Sequence, residues 1–140
     1  VPPCRFSKSR SEPVFISDLQ GNIVFFNQAY LRIQGLSERH EMLMDFAEYS
    51  ELLQVYSAEG KRLDKDDWAS IRGLRGLSGD NSIYYVYQRR LKTIMANYYA
   101  YAPIWDDAGK IIGSYVKIIG QVEKPDPGIL ERIALDLGLD

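Results

Sequence analysis

Apolar and polar positions change rhythm twice along this chain. From Pro13 the segment PVFISDLQGNIVFF sets two short apolar runs around Asp18-Leu19-Gln20-Gly21. That is a hairpin pattern, with Gly21 supplying the positive φ a tight connection needs. Asn27 then stands as an N-cap, followed by Ala29, Tyr30, Ile33 and Leu36 at helical spacing and by Gly35 as a stop. Residues 37 to 57 keep three- and four-residue steps through Met42, Leu43, Phe46 and Tyr49, which predicts short helical pieces. LDKDDWASIRGLRG, residues 63 to 76, opens on aspartates and sets Trp68, Ile71 and Leu74 on one stripe. A third helix is expected there, ending at Gly76 or Gly79.

After Gly79 the helical rhythm gives way to strand chemistry. SIYYVYQRR, TIMANYYAYAPIW and KIIGSYVKIIGQV are rich in Tyr, Ile and Val and predict three strands. Turns fall near Leu91-Lys92 and at Asp106-Asp107-Ala108-Gly109. Pro125 and Pro127 break the last strand, and Ile129, Leu130, Ile133 and Leu137 then predict an amphipathic helix leaving the domain. The expected organisation is a flexible arm over residues 1–12, a folded domain over 13–122, and a linker with the start of a C-terminal helix over 123–140. Two strands, short helices and three further strands make this an α+β domain.

At 140 residues, 46% of them hydrophobic and 26% charged, the chain has one domain's worth of core and a globular composition. No apolar run approaches the roughly 18 residues that span a bilayer. The net charge of -2 argues against nucleic acid as a partner of this segment, because phosphate binding leaves a basic footprint. Cys4 is the single cysteine, so no internal disulfide forms. Together with the lack of a signal-peptide pattern, this predicts a cytoplasmic, reducing setting.

Three passages carry a family likeness: Asp18 to Val24 running into Asn27 and Ala29, Trp68-Ala69-Ser70-Ile71-Arg72-Gly73-Leu74-Arg75-Gly76, and Pro103-Ile104-Trp105-Asp106-Asp107-Ala108-Gly109-Lys110-Ile111-Ile112-Gly113. In this order and spacing they resemble the bacterial PAS domain, a sensory module. Ala69 stands where many relatives carry Pro, a small departure because both suit a first helical turn. The resemblance implies a five-stranded antiparallel sheet with short helices on one face, a C-terminal linker helix, and a cavity between helices and sheet. It also implies a homodimer and an output domain such as a kinase, a cyclic-dinucleotide enzyme or a transcription regulator.

Period two sets Ile83, Tyr85 and Tyr87 on one side of their strand and Asn97, Tyr99 and Tyr101 on one side of the next. Likeness to the light-oxygen-voltage branch places Asn97 and Tyr87 where those relatives turn asparagines toward flavin. Tyr85, Tyr87, Asn97, Tyr99 and Tyr101 are therefore expected to line the cavity and bind a small organic ligand. The same tyrosines also suit a dry core with their hydroxyls bonded to backbone. Arg72 and Arg75, three apart, suit a clamp on a carboxylate or phosphate at the cavity mouth, or surface pairing with Asp64, Asp66 or Asp67.

Flavin and haem are both disfavoured. Cys4 offers no photo-adduct within the fold, and Ile118 stands where the light-oxygen-voltage relatives use glutamine. His40, the only histidine, lies among charges in SERHEML and reads as solvated or capping rather than as a haem ligand. Zinc lacks ligands. No nucleophile with a base, paired carboxylates or phosphate-cradling loop emerges, so no enzyme is expected. The favoured reading is a ligand-binding sensory domain. The alternative is a ligand-free interaction module with a filled core, whose sheet or ends pair two chains. The candidate ends are the segment before the first strand and the Ile129, Leu130, Ile133 and Leu137 stripe. A cone-shaped α+β isomerase or hydratase is a weaker third.

Overall fold

The computed structural model describes residues 12–42 and 45–139. The arm up to residue 11, with Cys4, and the helical position Leu43 lie outside them. Strands β1 (Val14–Ser17) and β2 (Ile23–Phe26) form the expected hairpin. Asp18 closes it: its Oδ1 accepts the Gln20 and Asn22 N–H groups at 2.9 and 3.0 Å, and Gly21 takes φ 85°. Asn27 caps α1 (Gln28–Ile33) by accepting the Tyr30 N–H at 3.0 Å, and the same oxygen accepts Val14 N–H at 3.2 Å. One side chain thus fixes both the helix start and its position against β1.

A 3-10 turn, Arg39–Met42, leads to α2 (Phe46–Glu51), which opens on a capping box between Asp45 and Glu48. Asn22 Oδ1 accepts the Phe46 N–H at 2.7 Å and ties the hairpin to this helix. The chain then forms β3 (Leu53–Tyr56), within the stretch where helical spacing predicted more helix. Helical periodicity stops at Glu51. Four residues with Leu53 and Val55 alternating against Gln54 are too few to announce a strand by pattern, and pairing with β4 decides the matter.

A second 3-10 turn, Lys65–Asp67, precedes α3 (Ala69–Leu74). Strands β4 (Gly79–Gln88), β5 (Thr93–Trp105) and β6 (Ile111–Gln121) follow where expected. The sheet is antiparallel with order β2-β1-β6-β5-β4-β3, six strands rather than five. Helix α3 presses onto it through small residues. A Cβ on Gly73 would meet the Ser114 Cβ at 2.7 Å, and Ser114 Oγ donates to the Ser70 carbonyl at 2.8 Å.

Helix α4 (Pro127–Leu137) starts at Asp126, whose Oδ1 accepts the Gly128 N–H at 2.8 Å, and ends at Gly138 with φ 77°. It does not leave the domain as expected. It folds back on the sheet face opposite the other helices, where Ile133, at 0% exposure, packs with Tyr56, Tyr85 and Ala96. Periodicity specifies an apolar stripe and is silent about its partner. Polar contacts complete the docking: Asp136 accepts from the Tyr56 hydroxyl at 2.5 Å and from Arg62 Nε at 2.8 Å, and Arg132 donates to the Glu59 carbonyl at 2.8 Å. Among the described residues, no helix is long and apolar enough to cross a membrane.

Candidate ligand cavity

The inner face of the sheet and the short helices border a partly open cavity of about 60 Å³. Register decides which strand residues reach it. Tyr84 lies opposite Asn97, and Tyr85 opposite Ala96. Opposed residues share a face, so Tyr84, Val86, Met95 and Tyr99 point toward the helices. Val116 and Ile118 of β6 and Val55 of β3 extend that wall. On the helical side stand Tyr30 of α1 and its C-cap Gln34, Tyr49 of α2, and Trp68 just before α3.

The wall is aromatic and interlocked. Tyr84 and Tyr99 meet edge to face with centroids 5.3 Å apart, Phe15 lies 4.9 Å from Tyr30, and Phe46 meets Trp68 at 5.9 Å. The Tyr30 and Tyr49 hydroxyls hydrogen-bond to each other. Burial raises both phenols, that of Tyr30 further by its neighbour Tyr49. Burial pushes Tyr99 up to about 12, with the Asn97 amide opposing. These hydroxyls are therefore neutral donors and acceptors. Gln34 is held by Gln88, whose Nε2 donates to its Oε1 at 2.9 Å, while Gln88 Oε1 accepts the Arg90 N–H at 2.7 Å.

Two buried donors, Trp68 Nε1 and Asn97 Nδ2, have no partner among the described residues. Most buried polar atoms in folded proteins are paired, so each such group asks for an explanation. Trp68 lines the cavity. Asn97 is on the same face, opposite Tyr84 and between Met95 and Tyr99 along β5, and is 4% exposed.

The predicted site residues are divided by the sheet. Tyr99 lines the cavity and Asn97 flanks it. Tyr101 shares their face, but its hydroxyl accepts Arg72 Nε at 2.7 Å beyond the lining. Arg72 stands outside the cavity, and Arg75 pairs with Asp67 at 3.6 Å on the surface. Tyr85 and Tyr87 face away from the cavity: Tyr85 packs under α4, and the Tyr87 ring has the Arg89 guanidinium 5.9 Å from its centroid. The expected shared face of Tyr85, Tyr87 and Tyr99 is corrected by the β4–β5 register, which puts Tyr84 and Val86 there instead. Residues Tyr84 to Gln88 are all buried because both faces of β4 are covered, and such a strand carries no alternation from which to choose a face.

The lining also takes in Tyr84, Val86, Tyr30, Gln34, Tyr49 and Trp68, which the sequence does not mark out as cavity residues. Tyr30, Tyr49 and Trp68 were visible as helical-stripe positions, but a stripe does not separate core from cavity. No group of three His, Cys, Asp or Glu side chains among the described residues is placed to hold a metal ion.

No family model matches the chain, and no curated protein matches its sequence. The fold has many solved relatives. A light-oxygen-voltage domain studied with a flavin analogue is 16% identical with a TM-score of 0.57, covering 94% of this chain and 92% of that one. The PAS domain of nitrogen regulation protein NR(II) from Vibrio parahaemolyticus is 15% identical with a TM-score of 0.57, covering 86% and 98%. The photo-excited blue-light photoreceptor Vivid is 17% identical with a TM-score of 0.51, covering 80% and 78%. The chain has the PAS fold.

Proposed function

We propose that this chain is the sensory domain of a signal-transduction protein, holding a small organic molecule between helices and sheet and passing its state to an output domain. The kinase, cyclic-dinucleotide enzyme and transcription regulator expected from the family likeness remain the candidate outputs. The observation that carries this reading is the cavity itself, aromatic-walled and lined by Trp68, whose buried Nε1 lacks a partner among the described residues. The exit for the signal is α4. Val55 faces the cavity while its neighbour Tyr56 holds Asp136 of α4, and Tyr84 and Val86 flank Tyr85, which packs under the same helix. Because alternate residues of a strand serve opposite faces, a ligand that shifts the inner wall moves the residues that dock α4.

The ligand-free dimerisation reading draws in part on the α4 stripe. With Ile133 fully buried against its own sheet, that stripe is already engaged within the chain. Native mass spectrometry of the freshly purified chain, compared with its denatured mass, tests the sensor reading. A stoichiometric extra mass supports it. A clean mass, unchanged by small aromatic probes at millimolar concentration, overturns it.

A further inference from the structure

The chemistry of the lining defines a ligand class. This step rests on the cavity being a ligand site, as proposed above. Trp68 Nε1 can only donate, and it is unpartnered in a residue only 5% exposed. The Tyr30 and Tyr49 hydroxyls carry two protons between them, and their mutual bond uses one, leaving the second free to donate. What Trp68 Nε1 lacks is an acceptor.

Charge is excluded by the same walls. Among the described residues, no Lys, Arg, His, Asp or Glu lines the cavity. Arg72, the nearest candidate for an anion clamp, is engaged by Tyr101 outside it. A carboxylate or ammonium placed there would lose its hydration and meet no countercharge. Burial already holds the Tyr30, Tyr49 and Tyr99 phenols in their neutral form. A volume of about 60 Å³ admits roughly four to six water-sized groups, the scale of one small ring with a substituent.

We propose that the cavity selects a small, uncharged molecule with an apolar body and one hydrogen-bond acceptor, a carbonyl oxygen or ring nitrogen, that takes the Trp68 indole N–H.

The test uses the full chain and three probes of similar outline: acetophenone with an acceptor, ethylbenzene without one, and benzoate with a charge. The chain has two tryptophans, Trp68 and the exposed Trp105, at 55% exposure, so the indole N–H resonances provide a site reporter and an internal control in one spectrum. Acetophenone is expected to move the Trp68 indole resonance downfield, leave that of Trp105 in place, and bind about 5- to 10-fold tighter than ethylbenzene, the worth of one hydrogen bond. Trp68→Phe keeps most of the ring and is expected to erase that preference. Because this variant can lose stability, the wild-type resonance shift stands as an independent reading.

Equal binding of acetophenone and ethylbenzene without a Trp68 shift overturns the acceptor inference and leaves the ligand site standing. Tighter binding of benzoate overturns the claim of neutrality. Failure of all three probes to perturb Trp68 or raise the melting temperature overturns both the inference and the reading beneath it.

Discussion

On one face of β4, Tyr84 and Val86 meet three short helices across a cavity, whereas on the other Tyr85 meets a single helix whose Ile133 has no exposed surface. The inner face leaves a buried donor without a partner. The outer one closes its polar groups into a network, with Asp136 accepting from both Tyr56 and Arg62. The difference separates two tasks. A face meant to receive a molecule keeps space and unspent hydrogen-bonding capacity. A face meant to hold or release a helix spends its capacity on that helix, and its edge contacts are weak enough to be reversed.

Substitutions of matched burial sharpen the contrast. Leu31, on α1 in the inner core, and Ile133, on α4, are both 0% exposed. Leu31→Ala is expected to lower global stability by about 3 kcal/mol in denaturant titrations, as a cavity in a continuous core does. Ile133→Ala should cost less, about 2 kcal/mol, because α4 can undock instead. Hydrogen exchange would then show fast α4 amides over a protected sheet. Equal, global losses for both would mean that α4 is part of the main cooperative unit.

A smaller effect is expected at Asp136→Asn, up to about 1 kcal/mol of α4 docking for a half-exposed ion pair. Hydrogen bonds from Tyr56 and Arg62 hold the Asp136 carboxyl below the usual range. Its contribution is therefore present above the ordinary carboxylate pKa near 4 and is lost as pH falls through the depressed value. Burial, then the bond to Asp136, raises Tyr56 to about 12. That contribution is intact below the ordinary phenol pKa of about 10 and is lost as pH rises through about 12. Docking measured by α4 exchange should thus be flat from about pH 5 to 9, and the acid limb should vanish in Asp136→Asn. The smallest effect is expected at Tyr87→Phe, on the face away from the cavity, where acetophenone affinity should stay within about 2-fold.

Much of this architecture was legible because it is written in local chemistry. Asp18 with Gly21, the Asn27 cap on Tyr30, and the Asp106-to-Gly109 turn are short-range devices whose hydrogen bonds join residues a few positions apart. The family likeness supplied the sheet with helices on one face. The site was less legible. Period two and the family likeness put Asn97 and Tyr99 on the helix-covered side, but group Tyr85 and Tyr87 with them. The register between β4 and β5 is set by the turn between Gln88 and Thr93, where Lys92 takes φ 57°, and SIYYVYQ gives no alternation to reveal it because both sides are buried. Docking of α4 was illegible for a similar reason: Ile129, Leu130, Ile133 and Leu137 read the same whether the stripe meets a second chain or its own sheet.

The central claim is that occupancy of the inner face is felt by α4 on the outer one. Hydrogen exchange of the full chain with and without saturating acetophenone tests it most directly. The account predicts greater protection at Tyr84, Val86 and Tyr99, together with a change of about fivefold or more in the exchange of α4 amides near Ile133, a coupling of roughly 1 kcal/mol. Protection of the cavity strands with α4 exchange unchanged would contradict it.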